Sequence, residues 1–287
     1  MLPSSVLRPF VKQLWISEST GEGHSAREHV LPTGQMHLVF RLAGPSLRIY
    51  RDAGDLAGSV IDGPVVGGVR NSFYIKEVGA AVRTVGVQLL PGAAQNLFGV
   101  SAEELAGRHT PLSDLWGSQA NSMLEQIAAA PGAEQVLAKL DALLAARAPC
   151  GQRLHPVVAE VLANTGHAWN IEAMVRASRY SHRGFIALFK EATGLSPKRY
   201  ARLMRFQYLL GALRASADAP LGQLALDAGY SDQAHMNREF REYAGTTPLQ
   251  YRLLAPAAAN HLQVKFVQDG ARSGSYSGGS NQPGSTP

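Results

Sequence analysis

Gln233, His235, Asn237 and Arg238 stand close together in a stretch that reads as a short helix, with Met236 and Phe240 spaced to face the other way. An amide opposite adenine and a guanidinium opposite guanine are the pairings that tell base pairs apart in a major groove, and that groove admits one α-helix. These side chains, with Asp232 and Ala234 beside them, therefore suit base reading. About fifty residues earlier, His182 and Arg183 open a similar helix; Phe185, Leu188 and Phe189 face inward and leave Ile186 and Ala187 outside. Ser181 and Ser231 precede the two helices, where a hydroxyl can cap free backbone N–H groups and lie close to a phosphate. Between the two, Lys198, Arg199, Arg202 and Arg205 form a basic strip suited to phosphate contact, which adds affinity without reading sequence.

The elements that must position these groups are duplicated. Ile171-Glu172-Ala173-Met174-Val175 aligns with Leu221-Gly222-Gln223-Leu224-Ala225, Tyr180-Ser181 with Tyr230-Ser231, and Phe189 with Phe240 after one extra residue. Gly194, Pro197 and Tyr200 then recur as Gly245, Pro248 and Tyr251. Each copy reads as a helix-turn-helix: a short apolar-faced helix, a turn at Arg179 or Gly229, and the reader helix with Ser181 or Ser231 as its N-cap. Gly229 suits a left-handed turn, whereas Arg179 predicts a strained or different one. A long helix from Pro197 to about Ala215 links the copies, with Leu203, Phe206, Leu209, Leu210 and Leu213 as its apolar face.

The run from Leu224-Ala225 through Gly229-Tyr230-Ser231-Asp232-Gln233-Ala234-His235-Met236-Asn237-Arg238-Glu239-Phe240 to Gly245-Thr246-Thr247-Pro248 and Tyr251-Arg252 resembles the signature of the AraC/XylS family of transcription regulators. The resemblance implies two helix-turn-helix subdomains joined by a linker helix, bound to promoter or operator DNA, with RNA polymerase as a further partner. Ala187 stands where family members often carry Arg or another polar residue, and Gly184 weakens the first reader helix, so readout by that copy rests on His182 and Arg183. The front half is similar to a sensor-like domain found on some members of the family, through Leu31-Pro32-Thr33-Gly34, Leu38-Val39-Phe40, Val85-Gly86-Val87, Pro91-Gly92-Ala93-Ala94 and Leu115-Trp116-Gly117. That likeness implies a small cupin-like β-barrel followed by helices, and an effector of unspecified chemistry.

Length and composition agree. At 287 residues and 45% hydrophobic content the chain holds material for two packed cores. The fold class expected is α+β, a cupin-like barrel with helices followed by an all-α double helix-turn-helix. The domains expected are 1–150 (sensor or dimerisation), 152–256 (DNA-binding) and a disordered Gly/Ser-rich tail, 269–287. Residues 1–151 carry 12 basic and 13 acidic side chains, and residues 152–256 carry 13 and 8, so the positive excess of the +5 chain lies in the second half. One cysteine, Cys150, excludes an internal disulfide; with no leader and no membrane-length apolar run, the expected location is the cytoplasm.

In the front half, Met36–Leu42, Ser46–Tyr50, Ser72–Val78 and Val82–Leu90 read as strands, and Ala93–Phe98, Ser118–Ala130 and Ala133–Arg147 as helices. The last two helices carry enough Leu, Ile and Val to build either a homodimer interface or the chain's own core. His261–Gln268 reads as a short strand or a tail that packs back. His24, His29 and His37 lack the close spacing and carboxylate of a metal set and read as barrel or surface histidines. No catalytic triad, phosphate loop or cofactor motif emerges. The rival readings are a DNA-repair or cupin-type metalloenzyme carrying a borrowed DNA-binding module, which would need a ligand cluster or an activated cysteine, and an architectural DNA binder.

Overall fold

Along Met36–Ala43, side chains alternate between two environments, as a strand buried on both faces requires. Met36, Leu38 and Phe40 are buried in the core, while His37, Val39 and Arg41 face a cavity on the other side. That alternation fixes the build of the front half. The computed structural model describes residues 1–21, 26–149, 154–163, 171–216 and 218–263. Strands β1 (Val11–Ser19), β2 (Ala26–Val30), β3 (Met36–Ala43), β4 (Leu47–Tyr50), β5 (Ser59–Ile61), β6 (Val65–Gly67), β7 (Tyr74–Val78) and β8 (Val82–Leu89) come first. Then follow α1 (Ala93–Phe98), α2 (Ala102–Leu105), β9 (His109–Pro111), α3 (Ser113–Trp116), α4 (Gln119–Ala128) and α5 (Gly132–Ala145).

These strands form two antiparallel sheets, ordered β1-β8-β3-β6-β9 and, with a last strand β10 (His261–Gln263), β10-β2-β7-β4-β5. The cavity lies between them, lined from both. The outer face of the first sheet is covered by α4 and α5, whose Met123, Ile127, Val136, Leu140 and Leu144 join Leu38, Val85 and Val87 in one core. The apolar faces of these two helices are thus engaged inside the chain.

The second half is helical: α6 (Pro156–Ala163), α7 (Ile171–Ser178), α8 (His182–Thr193), α9 (Pro197–Ala215), α10 (Leu221–Asp227), α11 (Gln233–Ala244) and α12 (Pro248–Leu254). Composition led us to expect two cores, whereas among the described residues one continuous buried cluster runs from Leu7 through Phe206 to Leu262 and spans both halves, with Tyr50 and Ile75 forming a small separate one. The physical reason is close approach at small residues. A Cβ on Gly194 would lie 2.4 Å from Val69 Cγ1 and 2.8 Å from the Ala102 carbonyl, and one on Gly245 2.8 Å from the Phe73 ring. Larger residues there would hold the halves apart. His261–Gln263 is a strand, paired with Glu28–Val30 of β2, so the chain returns from the last helix to the front sheet. The remainder of that expected strand, the tail 269–287, His24 and Cys150 lie outside the described residues. Among the described residues no helix is long and apolar enough to cross a membrane.

Candidate nucleic-acid interface

The two modules superimpose in sequence once the extra residue of the second is placed, and the structure shows where it goes. Ser181 caps α8, its hydroxyl accepting from Gly184 N–H at 3.2 Å. In the second module the cap is Asp232, whose carboxylate accepts from His235 N–H at 2.7 Å. This corrects the expectation for Ser231, whose hydroxyl instead donates to Asp232 at 3.1 Å and lies 3.1 Å from His235 Nδ1. The inserted residue thus lengthens the turn, and both reader helices run 12 residues and end at a left-handed glycine, Gly194 or Gly245. The hydrogen bond from His235 N–H, with that from Ser231, holds the Asp232 carboxyl below its usual range. Arg179 adopts φ 59° and Gly229 φ 80°, so the first module uses the same left-handed turn and places a side chain in it.

Phe185 and Phe189 of α8, and Met236 and Phe240 of α11, are buried, which fixes the outward faces. His182, Arg183 and Ala187 are exposed on α8. On α11, Gln233 and Arg238 are exposed, and His235 and Asn237 half-buried. His182, Arg183, Gln233, Asn237 and Arg238 make no side-chain hydrogen bond or ion pair among the described residues, so their donors remain available. Lys198 and Arg199, exposed in the first turn of α9, are equally free.

Arg202 and Arg205 are not. One turn further along α9, Arg202 donates from Nε to Glu239 at 2.7 Å and from Nη2 to Glu242 at 2.7 Å. Arg205 donates from Nη2 to Glu239 at 2.8 Å, donates from Nη1 to the Gly229 carbonyl at 3.3 Å, and lies 4.4 Å over the Tyr230 ring. Glu239 is 1% exposed, so the carboxylate survives burial only because both guanidinium groups meet it. Burial pulls Arg202 down, but its bonds to Glu239 and Glu242 outweigh this and hold its charge more firmly than usual. The basic strip therefore divides: Lys198 and Arg199 face outward, while Arg202 and Arg205 clamp the second reader helix and its turn to the linker helix. Sequence reasoning missed Glu239, although a signal existed. In the corrected register it stands where the first module has Leu188, a carboxylate in an apolar place.

A second set of residues was also missed. His29, read as an ordinary barrel histidine, stacks on Phe73 at 4.1 Å and lies with Nδ1 3.1 Å from the carbonyl of Ala244, the last residue of α11. Burial lowers its pKa, against the opposing pull of that backbone bond, so the neutral ring donates. Gln207 of α9 donates to the Pro32 carbonyl at 2.7 Å, and Lys190 of α8 pairs with Glu103 of α2. Each of α8, α9 and α11 thus touches the front half. Among the described residues no group of three or more His, Cys, Asp or Glu side chains is placed to hold a metal ion.

Residues 174–253 match the family model described as a helix-turn-helix domain, and residues 1–111 match a domain of unknown function, DUF6597. An uncharacterised HTH-type transcriptional regulator of Haemophilus influenzae is 31% identical over 101 residues, covering 35% of this chain and 34% of the relative. The HTH-type transcriptional regulator MtrA of Neisseria gonorrhoeae is 30% identical over 101 residues, covering 35% and 33%. The matched region thus spans about a third of each relative's length. Among solved structures, ToxT from Vibrio cholerae aligns at 10% identity over 88% of this chain and 100% of its own, with a TM-score of 0.42. The C-terminal domain of AraT, a response regulator from Geobacillus stearothermophilus, aligns at 20% identity over 36% of this chain and 88% of its own, with a TM-score of 0.32.

The second half thus consists of two helix-turn-helix modules joined by one linker helix. By that domain the chain is similar to HTH-type transcriptional regulators over about a third of its length.

Proposed function

We propose that this protein is a cytoplasmic, sequence-specific regulator of transcription, with residues 1–150 as its sensor and 152–256 as the unit that grips promoter or operator DNA. The observation that carries the reading is the pair of reader helices with free donors on their outward faces, set by one rigid rod. At 1.5 Å per residue α9 is roughly 28 Å long, close to the ~34 Å that separates successive major-groove turns on one face of a duplex.

In this reading His182 and Arg183 contact bases from the first module, and Gln233, His235, Asn237 and Arg238 from the second. Lys198 and Arg199, with Ser181 and Ser231 at the helix starts, contact phosphates. Arg202 and Arg205 serve by positioning α11. A small-molecule effector acts through the front half, which touches all three DNA-facing helices, and RNA polymerase is the partner downstream.

Selection of duplexes from a random pool by the purified full chain tests this. The expected product is a motif with two conserved blocks about 10 base pairs apart, sensitive to the insertion of half a turn between them. A pool that does not enrich, or a single block indifferent to spacing, would refute it.

A further inference from the structure

The cavity between the sheets measures about 480 Å³, in the range that encloses a small organic ligand. Strand register orders its walls. Trp15 and Val39 face the same Gly86 level of the first sheet, and Val65 pairs with Val39, so the middle is apolar. Arg41, two residues beyond Val39, lies toward one end, and Arg70 with His109 lies toward the other. Among the described residues no Asp or Glu lines the cavity, although Arg41, Arg70 and Lys76 do.

Lys76 has its counter-ion, Glu28, at 3.2 Å. Arg41 and Arg70 have none among the described residues. Arg70 Nη2 donates to His109 Nδ1 at 2.9 Å, its guanidinium lies 4.7 Å over the Tyr74 ring, and its Nε is buried without a hydrogen-bond partner. His109 supplies no negative charge in return; burial first, then the nearby Arg70 and Lys76, push it down to about 3, so it is a neutral acceptor. A half-buried guanidinium with a free Nε and no anion is an unbalanced charge in an apolar setting. Such a group accepts a carboxylate through two parallel hydrogen bonds.

We infer that this cavity binds a small organic carboxylate with an apolar body, its carboxylate on Arg70 and its body along Trp15, Val39 and Val65. The inference deepens the regulator reading, on which it rests for its consequence, by naming the class of effector. Its wall is not confined to the sensor. Pro32, whose carbonyl accepts from Gln207 of α9, lines the cavity, and so does Ala259, whose carbonyl accepts from Tyr251 Oη of α12 at 2.9 Å. Next to it Asn260 Nδ2 is buried without a partner. A bound carboxylate therefore touches segments tied directly to the linker helix and to the last helix of the second module.

The test is calorimetric titration of the full chain with straight-chain carboxylates of four to ten carbons, 3-phenylpropanoate and the matching amides. At least one acid is expected to bind tenfold or more tightly than its amide. Arg70→Met should bring that ratio close to one while leaving the amide's affinity in place. Amides that bind as well as their acids, or no acid that binds below 1 mM, would overturn the inference, and this comparison on the unaltered chain does not depend on the variant folding. Affinity of the ligand-free chain for a selected duplex is measured alongside. A chain that binds duplex but no acid keeps the regulator reading and loses this one; a chain that binds acid but selects no duplex does the reverse.

Discussion

Glu239 is the buried charge on which the placement of the second reader helix turns, and Glu239→Gln isolates that charge with little change of shape. Removing one partner from a buried ion pair costs about 3–5 kcal/mol, because the other is left uncompensated. Here the side chains left behind, Arg202 and Arg205, are 36% and 21% exposed, so both can turn partly to water. The expected cost falls to about 2–3 kcal/mol on that ground. Urea unfolding followed by helical circular dichroism measures it. Replacing the whole cluster with apolar residues (Arg202→Met, Arg205→Met and Glu239→Leu together) should recover most of the loss, to within about 1 kcal/mol of the native chain, as buried ion clusters exchanged for packed hydrocarbon commonly do. The same geometry predicts DNA behaviour. Two guanidinium groups face the two carboxylates of Glu239 and Glu242, so the cluster carries no net charge toward phosphate. Arg202→Ala should then leave the slope of log affinity against log salt unchanged, whereas Lys198→Ala or Arg199→Ala should each reduce it by up to about 0.9. A Glu239→Gln variant within about 0.5 kcal/mol of the native chain, the range of an ordinary surface change, would refute the clamp. A salt slope that flattens with Arg202→Ala would return that arginine to the phosphates.

Arg238→Ala should cost on the order of 1–3 kcal/mol of DNA binding and relax preference at one base pair; equal weakening on every sequence, read by competition, would remove it from base reading. Gly194→Ala and Gly99→Ala form a matched pair, both left-handed (φ 78° and 74°), but nothing lies within 4 Å of a Cβ at Gly99. Thermal unfolding should show about 1 kcal/mol lost at Gly99 from backbone strain alone. A larger loss is expected at Gly194, where Val69 and the Ala102 carbonyl stand in the way; equal losses would mean that the halves are not held there. Burial, aided by the charge on His261, pushes His37 down to about 4, and His109 lies at about 3. Because the unfolded chain takes up these protons first, below pH 6.5, folding stability should be full above that value and fall as pH drops toward 4, by up to about 1.4 kcal/mol per pH unit for each histidine. Urea midpoints across that range check this, and His109→Gln should flatten the fall.

The local elements were largely legible. Ala93–Phe98 and Pro197–Ala215 fall where the apolar spacing and the proline at the helix start put them. Strands β1 and β2 were not, because their apolar residues do not alternate cleanly: Val11 and Leu14 are the buried residues of β1, three apart across a bulge. The cap of α11 was misread for a related reason. Ser231 and Asp232 are both good caps, and only the depth of Met236 and Phe240 in the core decides which of them begins the helix.

By itself the sequence determined the duplication, the outward residue types of the reader helices and the excess of positive charge in the second half, since repeat spacing and helical period are properties of the chain alone. The tertiary structure decided which arginines of α9 are engaged within the fold, because Glu239 meets Arg202 and Arg205 only when α11 packs on α9. It also decided that the two halves share one core and that a cationic cavity borders both. Those facts depend on residues far apart in the chain, such as Gly194 against Val69, Gln207 against Pro32 and Tyr251 against Ala259, and no local spacing encodes such meetings.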